Sequence, residues 1–195
     1  MNEKLNRIRH DRSVKDFPKL KLEDDEYVEF VFRRTKMCLV AIFGGVILGL
    51  MVILLAMVVV DYGQSVLDDM GKNFVHILLL VLTATVLIAG AVALMIYRGN
   101  RLFVTNKHAI QMAMMSPMAT SVNMIDLSSI EDASFHQGGI LQKLFHYGTF
   151  RLSTVGDETT YTLTYSDISP SELKAVSDLI TEAKKSKKLA KTEEE

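Results

Sequence analysis

The residues that could carry out chemistry are few and poorly arranged for it. Glu131 and Asp132 are adjacent in a segment of strand-like alternation, so their carboxylates would point to opposite faces and not form an acid and base pair. His136 and His146 lack the spacing of four residues that places two metal ligands on one helix face. The single cysteine, Cys38, lies in an apolar run, so no disulfide can form within the chain. The sequence predicts a protein that is not an enzyme, with no catalytic residue, no metal site and no cofactor.

The charge balance argues against a nucleic-acid partner. The 195 residues include 22 Lys and Arg against 23 Asp and Glu, a formal net charge of −1. Proteins that coat nucleic acid concentrate basic residues to neutralise phosphates. The mean hydropathy is nevertheless +0.20 although 23% of the residues are charged, so the apolar residues must be concentrated in particular segments.

Two segments, 37–60 and 74–97, contain no Asp, Glu, Lys or Arg. A helix rises about 1.5 Å per residue and needs about 20 apolar residues to cross the hydrocarbon of a bilayer, so both are long enough. The sequence predicts a transmembrane helical hairpin over 37–97, with an external loop at 61–73.

The distribution of basic residues predicts the orientation of this hairpin. The connecting loop carries Asp61, Asp68 and Asp69 against Lys72, whereas basic residues cluster on the side of the termini. Because short cytoplasmic loops are enriched in Lys and Arg, both termini are predicted to be cytoplasmic in a multi-pass protein of the cell membrane. The basic residues nearest the spans are also candidates for contact with the lipid surface: Arg33, Arg34, Lys36, Arg98, Arg101 and Lys107.

Each span has small residues spaced by four, a pattern that lets helix backbones approach closely. In an antiparallel hairpin these residues fall into one register, so we expect the two small faces to meet within one chain; contact between chains, or chance, would give the same pattern. Pore formation by oligomers is less favoured, because the ionisable residue in the spans is His76, at the outer end of the second. The small residues are Ala41, Gly45, Gly49, Thr85, Ala89 and Ala93.

After the second span the periodicity becomes that of strands, which predicts an antiparallel sheet in segment 98–183. A short helical turn is expected at 140–145, and Ser169 to Glu172 forms a capping box that begins a C-terminal helix over the sheet. Segment 1–36 is expected to be cytoplasmic and partly disordered, and 184–195 to be a charged tail. Six strands are predicted, at 101–105, 108–115, 121–127, 130–136, 149–155 and 160–165.

Three strings in this segment resemble the membrane-associated bacterial PH-like (pleckstrin-homology-like) domain family. They are LFVTNKHAI at 102–110, LSSIED at 127–132 and GILQKLFHYGT at 139–149, and they occur in the family's order. The resemblance implies an α+β membrane protein, in which a two-helix hairpin precedes a bent antiparallel roll closed by a C-terminal helix. Seven strands are usual in that fold. The seventh is expected from residues 26–32, although their apolar run equally permits a helical extension of the first span.

The predicted function is that of a non-enzymatic binding or scaffolding module anchored at the cytoplasmic face. The expected partners are membrane lipid and either another protein or further copies of the chain, with no nucleic acid. A lipid-sensing domain is the alternative, although the turn at 106–107 supplies a single lysine and the basic residues near the spans need only orient the domain. The candidate partner contacts, which closure of the core would also explain, are Phe135, Ile140, Leu144, Phe145 and Tyr147.

Overall fold

The computed structural model describes residues 2–62, 69–154 and 160–193. They form an α+β protein in which two long apolar helices accompany two antiparallel sheets. In chain order the elements are α1 (Asn2–Asp16), β1 (Val28–Arg33), α2 (Met37–Tyr62), α3 (Asp69–Gly99), β2 (Arg101–Thr105), β3 (His108–Ser116), β4 (Ala119–Asp126), β5 (Ile130–His136), α4 (Ile140–Leu144), β6 (Gly148–Thr154), β7 (Thr160–Ser166) and α5 (Pro170–Glu193).

All six predicted strands are present, and residues 28–33 add the seventh. One sheet has the order β1-β2-β3-β4 and the other the order β5-β6-β7, with every pairing antiparallel. A bridge between Arg34 and Ser166 joins the end of β1 to the end of β7. The strand alternative for residues 26–32 is therefore correct, because Phe32 pairs with Leu102 and buries its ring in the core.

The chain forms two compact units, and the first is interrupted in sequence by the second. Residues 1–35 and 99–195 make the unit that contains both sheets, here called the β domain, and residues 36–98 make the helical unit. Strands β1 and β2 are neighbours in one sheet although α2 and α3 lie between them in the sequence.

The core of the β domain lies between the two sheets and α5. The capping box forms as expected, since the backbone N–H of Glu172 donates to Ser169 Oγ at 3.2 Å and the N–H of Ser169 donates to the Glu172 carboxylate at 2.8 Å. Apolar positions of α5 then face the sheets with helical spacing. The buried core residues include Phe32, Leu102, Val104, Leu127, Ile130, Phe150, Leu152, Leu163, Val176 and Ile180.

A second, smaller core lies on the outer face of the four-stranded sheet and involves the N-terminal segment. Leu20 is buried against Phe103 and Ile110, and the ring of Phe17 meets that of Phe103 edge-on with centroids 5.1 Å apart. The structure thus differs from the expectation of partial disorder for segment 1–36, of which residues 2–16 are helical. Phe17 and Leu20 have an apolar strand face to cover, and α1 is held by polar contacts such as the Ser13 hydroxyl, which accepts from the N–H of Val28 at 3.0 Å.

Strand polarity defines two ends of the β domain. Because consecutive strands are antiparallel, the end of β1 and the start of β2 lie at one end together with the β3–β4 turn and the β5–β6 connection. We call this the helix-linked end, since the chain leaves it for α2 and returns to it from α3. The opposite end, with the β2–β3 turn and the end of β4, is called the far end.

In the helical unit, α2 and α3 are both long and apolar enough to cross a membrane. Ala41, Gly45, Ala89 and Ala93 line one groove between them, of about 290 Å³. Gly49 faces the side chain of Val86 and not Thr85, whose hydroxyl donates to the backbone oxygen of Val81 at 2.9 Å.

The helices extend beyond the predicted spans, and α3 begins within the segment predicted as the external loop. Residues 63–68 of that loop lie outside the described residues. At this side of the unit, His76 Nε2 lies 3.1 Å from the carboxylate of Asp61.

The C-terminal helix continues well past its predicted end at residue 183. Helix α5 runs to Glu193, so most of the predicted charged tail is helical. Two of its lysines contact the β domain: Lys184 Nζ donates to the backbone oxygen of Glu131 at 3.2 Å, and Lys187 Nζ lies 3.1 Å from the Asp126 carboxylate. These contacts explain why the helix does not end where its apolar face ends.

Candidate functional site

A polar cavity opens at the far end of the β domain. It has a volume of about 330 Å³ and lies between the β2–β3 turn, the end of β4 and the second half of α5. Opposite charges alternate around it, since Lys107 lies 3.3 Å from the Glu23 carboxylate and Lys187 lies 3.1 Å from that of Asp126. Its lining residues are Glu23, Asn106, Lys107, His108, Asp126, Ser128, Ala183 and Lys187.

The carboxylate of Glu26 is fully buried beside this cavity and is held by protein donors. One of its oxygens accepts from the Thr105 hydroxyl at 2.6 Å and lies 2.9 Å from His108 Nδ1. The other accepts from the backbone N–H of Glu23 at 3.0 Å. The Thr105 hydroxyl in turn accepts from the N–H groups of Lys107 and His108, so this carboxylate fixes the β2–β3 turn.

These contacts determine the ionisation of Glu26. Burial raises its pKa, but the hydrogen bonds from Thr105, the Glu23 N–H and His108, together with the charge of His108, outweigh that effect, so the pKa lies below its ordinary value of 4.5. Both carboxylate oxygens are occupied within the protein. Glu26 therefore joins the N-terminal segment to the sheet, and the cavity lining beside it is the part open to a ligand.

The depressed pKa of Glu26 predicts an acid-dependent loss of stability. Above pH 4.5, the ordinary value, its contribution is fully present, and it is lost as the pH falls through the lower pKa of the folded state, because the unfolded chain takes up the proton first. Pulse proteolysis in urea between pH 7 and pH 3 would measure this. Glu26→Gln should make the free energy of unfolding fall less steeply with decreasing pH below 4.5, the part of the curve here called the acid limb. An acid limb as steep in Glu26→Gln as in the unchanged protein would contradict the assignment.

Asp126 is the matched comparison for this titration. Burial raises its pKa, but the hydrogen bonds from Ser128 and Lys187 and the charge of Lys187 outweigh that effect. The pKa of Asp126 is therefore also below its ordinary value. Its carboxylate is about half exposed, so solvent screens the interaction. We expect Asp126→Asn to change the acid limb less than Glu26→Gln does.

The basic residues predicted for lipid contact do not all lie together. Arg33 and Arg101 are direct partners across β1 and β2 at the helix-linked end, and Arg34 follows in the bridge to β7. Lys107 lies at the far end, where its amine contacts Glu23 and the backbone oxygen of Asp24. Lys36 and Arg98 belong to the helical unit, where Lys36 directly precedes α2 and Arg98 lies in the last turn of α3.

The five residues predicted for partner contact divide into two groups. Ile140, Leu144 and Phe145 are exposed by 87%, 64% and 44% on and beside α4. Phe135 is partly buried against the main core, so core closure accounts for it, and Tyr147 is half-buried just before β6.

Sequence reasoning missed an apolar patch on the outer face of the four-stranded sheet. The N-terminal segment covers this face near Phe103 and Ile110 but not beyond them. Direct cross-strand pairing places Met112 opposite Val122 and Ile110 opposite Met124, so these side chains share one face. The outer-face patch comprises Met112, Met114, Val122 and Met124, of which Val122 is 56% and Met124 48% exposed.

The patch ends at an open sheet edge. Strand β4 is last in its sheet, and within the described ranges no strand pairs with its outer side. Residues 109–125 contain no Asp, Glu, Lys or Arg, although charged side chains commonly protect such edges from pairing. The charge gap in the sequence was the signal that could have indicated this surface.

Neither catalysis nor metal binding gains support from these clusters. In the part of the chain that the structure describes, no three His, Cys, Asp or Glu side chains are grouped so that they could hold a metal ion. Comparison with protein-family models, with curated proteins and with solved structures found no match. The resemblance to the PH-like family stays a prediction.

Proposed function

We propose that the chain is a non-enzymatic binding module, anchored at the cytoplasmic face of the cell membrane by α2 and α3, that associates with other proteins or with further copies of itself through the β4 edge and the outer-face patch. Both termini are cytoplasmic in this proposal. The β domain is taken to be a PH-like roll into which the transmembrane hairpin is inserted.

The open, uncharged edge of β4 is the observation that carries the proposal. Its backbone donors and acceptors can pair with an added strand, and the adjoining methionines supply an adaptable apolar surface. An eight-residue edge is longer than an isolated monomer usually leaves unprotected. Anchoring in one membrane raises the effective concentration of partners, so a modest intrinsic affinity suffices.

The experiment that tests this proposal is site-specific photo-crosslinking in the native membrane. A photoreactive amino acid at Val122 should give an adduct with a discrete protein, identified by mass spectrometry after gentle extraction into nanodiscs. The same amino acid at Asp178, exposed on α5, is the control. An adduct of twice the chain mass would identify self-association. Identical adduct patterns at the two positions, or none at Val122, would remove the β4 edge as the contact.

Placing a lysine on this edge should weaken the association. Val122→Lys puts a charge that must be desolvated against the partner strand, so we expect about a tenfold loss of affinity, equivalent to about 1.4 kcal/mol. The measurement is the yield of the crosslinked complex, titrated with expression level. Thr181→Lys on the exposed side of α5 is the matched variant and should leave the yield unchanged. Equal losses in both would indicate a general effect of added charge.

A further inference from the structure

We propose that two apolar loops of the β domain rest in the headgroup region of the bilayer. One is the hairpin tip, residues 115–118 between β3 and β4, and the other is the α4 loop, residues 137–147 between β5 and β6. The inference rests on the proposed function, because it requires α2 and α3 to span the membrane.

The position of both loops is the first argument. They belong to the helix-linked end, from which residues 34–36 lead into α2 and to which Asn100 returns from α3. Connections this short leave the chain little reach between that end and the two helices, since an extended residue spans at most about 3.6 Å. The α4 loop joins β5 to Gly148, which pairs with Ser166 beside the bridge to Arg34.

The β3–β4 hairpin reaches beyond the point where the chain enters from α3. Met112 lies opposite Arg101, the first residue of β2, and the strand continues for several residues before it turns at Pro117. At about 3.3 Å per residue the tip lies about 16 Å further along. The side-chain amide of Asn100 donates to the backbone oxygen of Met114 at 3.1 Å and holds the hairpin in this direction.

The chemistry of the exposed side chains is the second argument. Met115 is 80% and Met118 is 100% exposed, within a hairpin that has no charged residue. Ile140 and Leu144 are equally prominent on α4, with Lys143 between them. Apolar groups beside a lysine whose amine can reach the phosphates are typical of segments that lie in the membrane interface.

The charges at the two ends of the β domain favour lipid over a protein as the occupant. Arg33 and Arg101 stand directly opposite each other at the helix-linked end, an arrangement that anionic headgroups would stabilise. Asp167 is an acidic residue at this end. Glu172, whose carboxylate accepts from the N–H of Ser169, is another. At the far end the charges of both signs lie together, since Glu23 pairs with Lys107 and Asp126 with Lys187.

Lipid-quenching fluorescence on the full chain tests the inference. Single cysteines for an environment-sensitive dye are placed at Met118, Leu144, Val52 and Ser186, with Cys38 replaced by Ala. The protein is reconstituted at one chain per nanodisc in equal parts of phosphatidylcholine and phosphatidylglycerol, which removes a second copy as the occupant. Nitroxide-bearing lipids quench dyes that contact lipid. Ser186, exposed on α5 towards the far end, is the control.

We expect quenching at positions 118 and 144 to be several-fold stronger than at 186. The two-loop contact would be overturned if quenching at 118 and 144 were no stronger than at 186. It would also be overturned if only one of these two positions were quenched more strongly than 186. Position 52, in α2, separates this result from failure of the anchor. Quenching at 52 without quenching at 118 and 144 would leave the proposed membrane anchoring intact, whereas an unquenched label at 52 would remove the anchoring and the loop contact together.

Discussion

Replacing Phe150 with alanine is expected to lower the free energy of unfolding of the β domain by about 3–5 kcal/mol. Its side chain is fully buried between the sheets and α5, and its ring lies 5.2 Å from that of Phe32, centroid to centroid. The loss includes both the transfer of the ring and the cavity left behind. Because the sequence has no tryptophan, the measurement is pulse proteolysis in urea on the full chain in detergent.

Phe145→Ala provides the control for this prediction. This phenylalanine is 44% exposed beside α4, so the same substitution removes few buried contacts and should cost less than about 1 kcal/mol. Equal losses for Phe150→Ala and Phe145→Ala would mean that the core between the sheets does not determine the stability of the β domain.

Glu26→Ala is expected to cost about 3 kcal/mol or more and to loosen the N-terminal segment first. The substitution leaves Thr105 and His108 without their carboxylate partner in a buried site, and such orphaned groups carry most of the cost. Hydrogen exchange followed by mass spectrometry should show faster exchange in residues 17–28 and in the β2–β3 turn. The strands β5 to β7 should exchange at their original rates.

Glu23→Ala is the matched acidic substitution. Its carboxylate is 62% exposed and lies 3.3 Å from Lys107 Nζ, while the backbone N–H that donates to Glu26 is retained. We expect a loss below about 1 kcal/mol. A Glu23→Ala variant as damaged as Glu26→Ala would show that the surface pair, and not the buried carboxylate, holds the segment.

The alternation of residue types predicted the strands that follow the second apolar helix. It could not decide whether the residues of β1 form a strand. Residues 108–115 and 160–165 alternate clearly, and their partners lie nearby in the sequence. Residues 28–32 read Val-Glu-Phe-Val-Phe, which fits a strand or a helix equally, and the partner that decides between them, β2, lies beyond both apolar helices. Only tertiary pairing resolves such a segment.

The packing of the N-terminal segment on the sheet and the buried carboxylate of Glu26 could not be predicted from local sequence either. Phe17 and Leu20 have no periodicity that would predict packing, and the face that they cover belongs to β2, whose residues Leu102, Phe103 and Val104 are all buried. Glu26 and His108 meet through the fold alone, since nothing in their local sequence relates them. Ile140 and Leu144 were candidate partner contacts because they are hydrophobic. That their side chains are exposed could not be predicted from the sequence.

The insertion of α2 and α3 between β1 and β2 sets the order in which a ribosome can complete this molecule. Strand β1 is synthesised first and has no partner until residues 34–100 have followed, a delay of several seconds at roughly 5–20 residues per second. During that interval α2 and α3 are synthesised while Phe30 and Phe32 have no partner strand. A nascent chain stalled before residue 101 should therefore be protease-sensitive through residues 28–33, and should become protected once β2 has emerged.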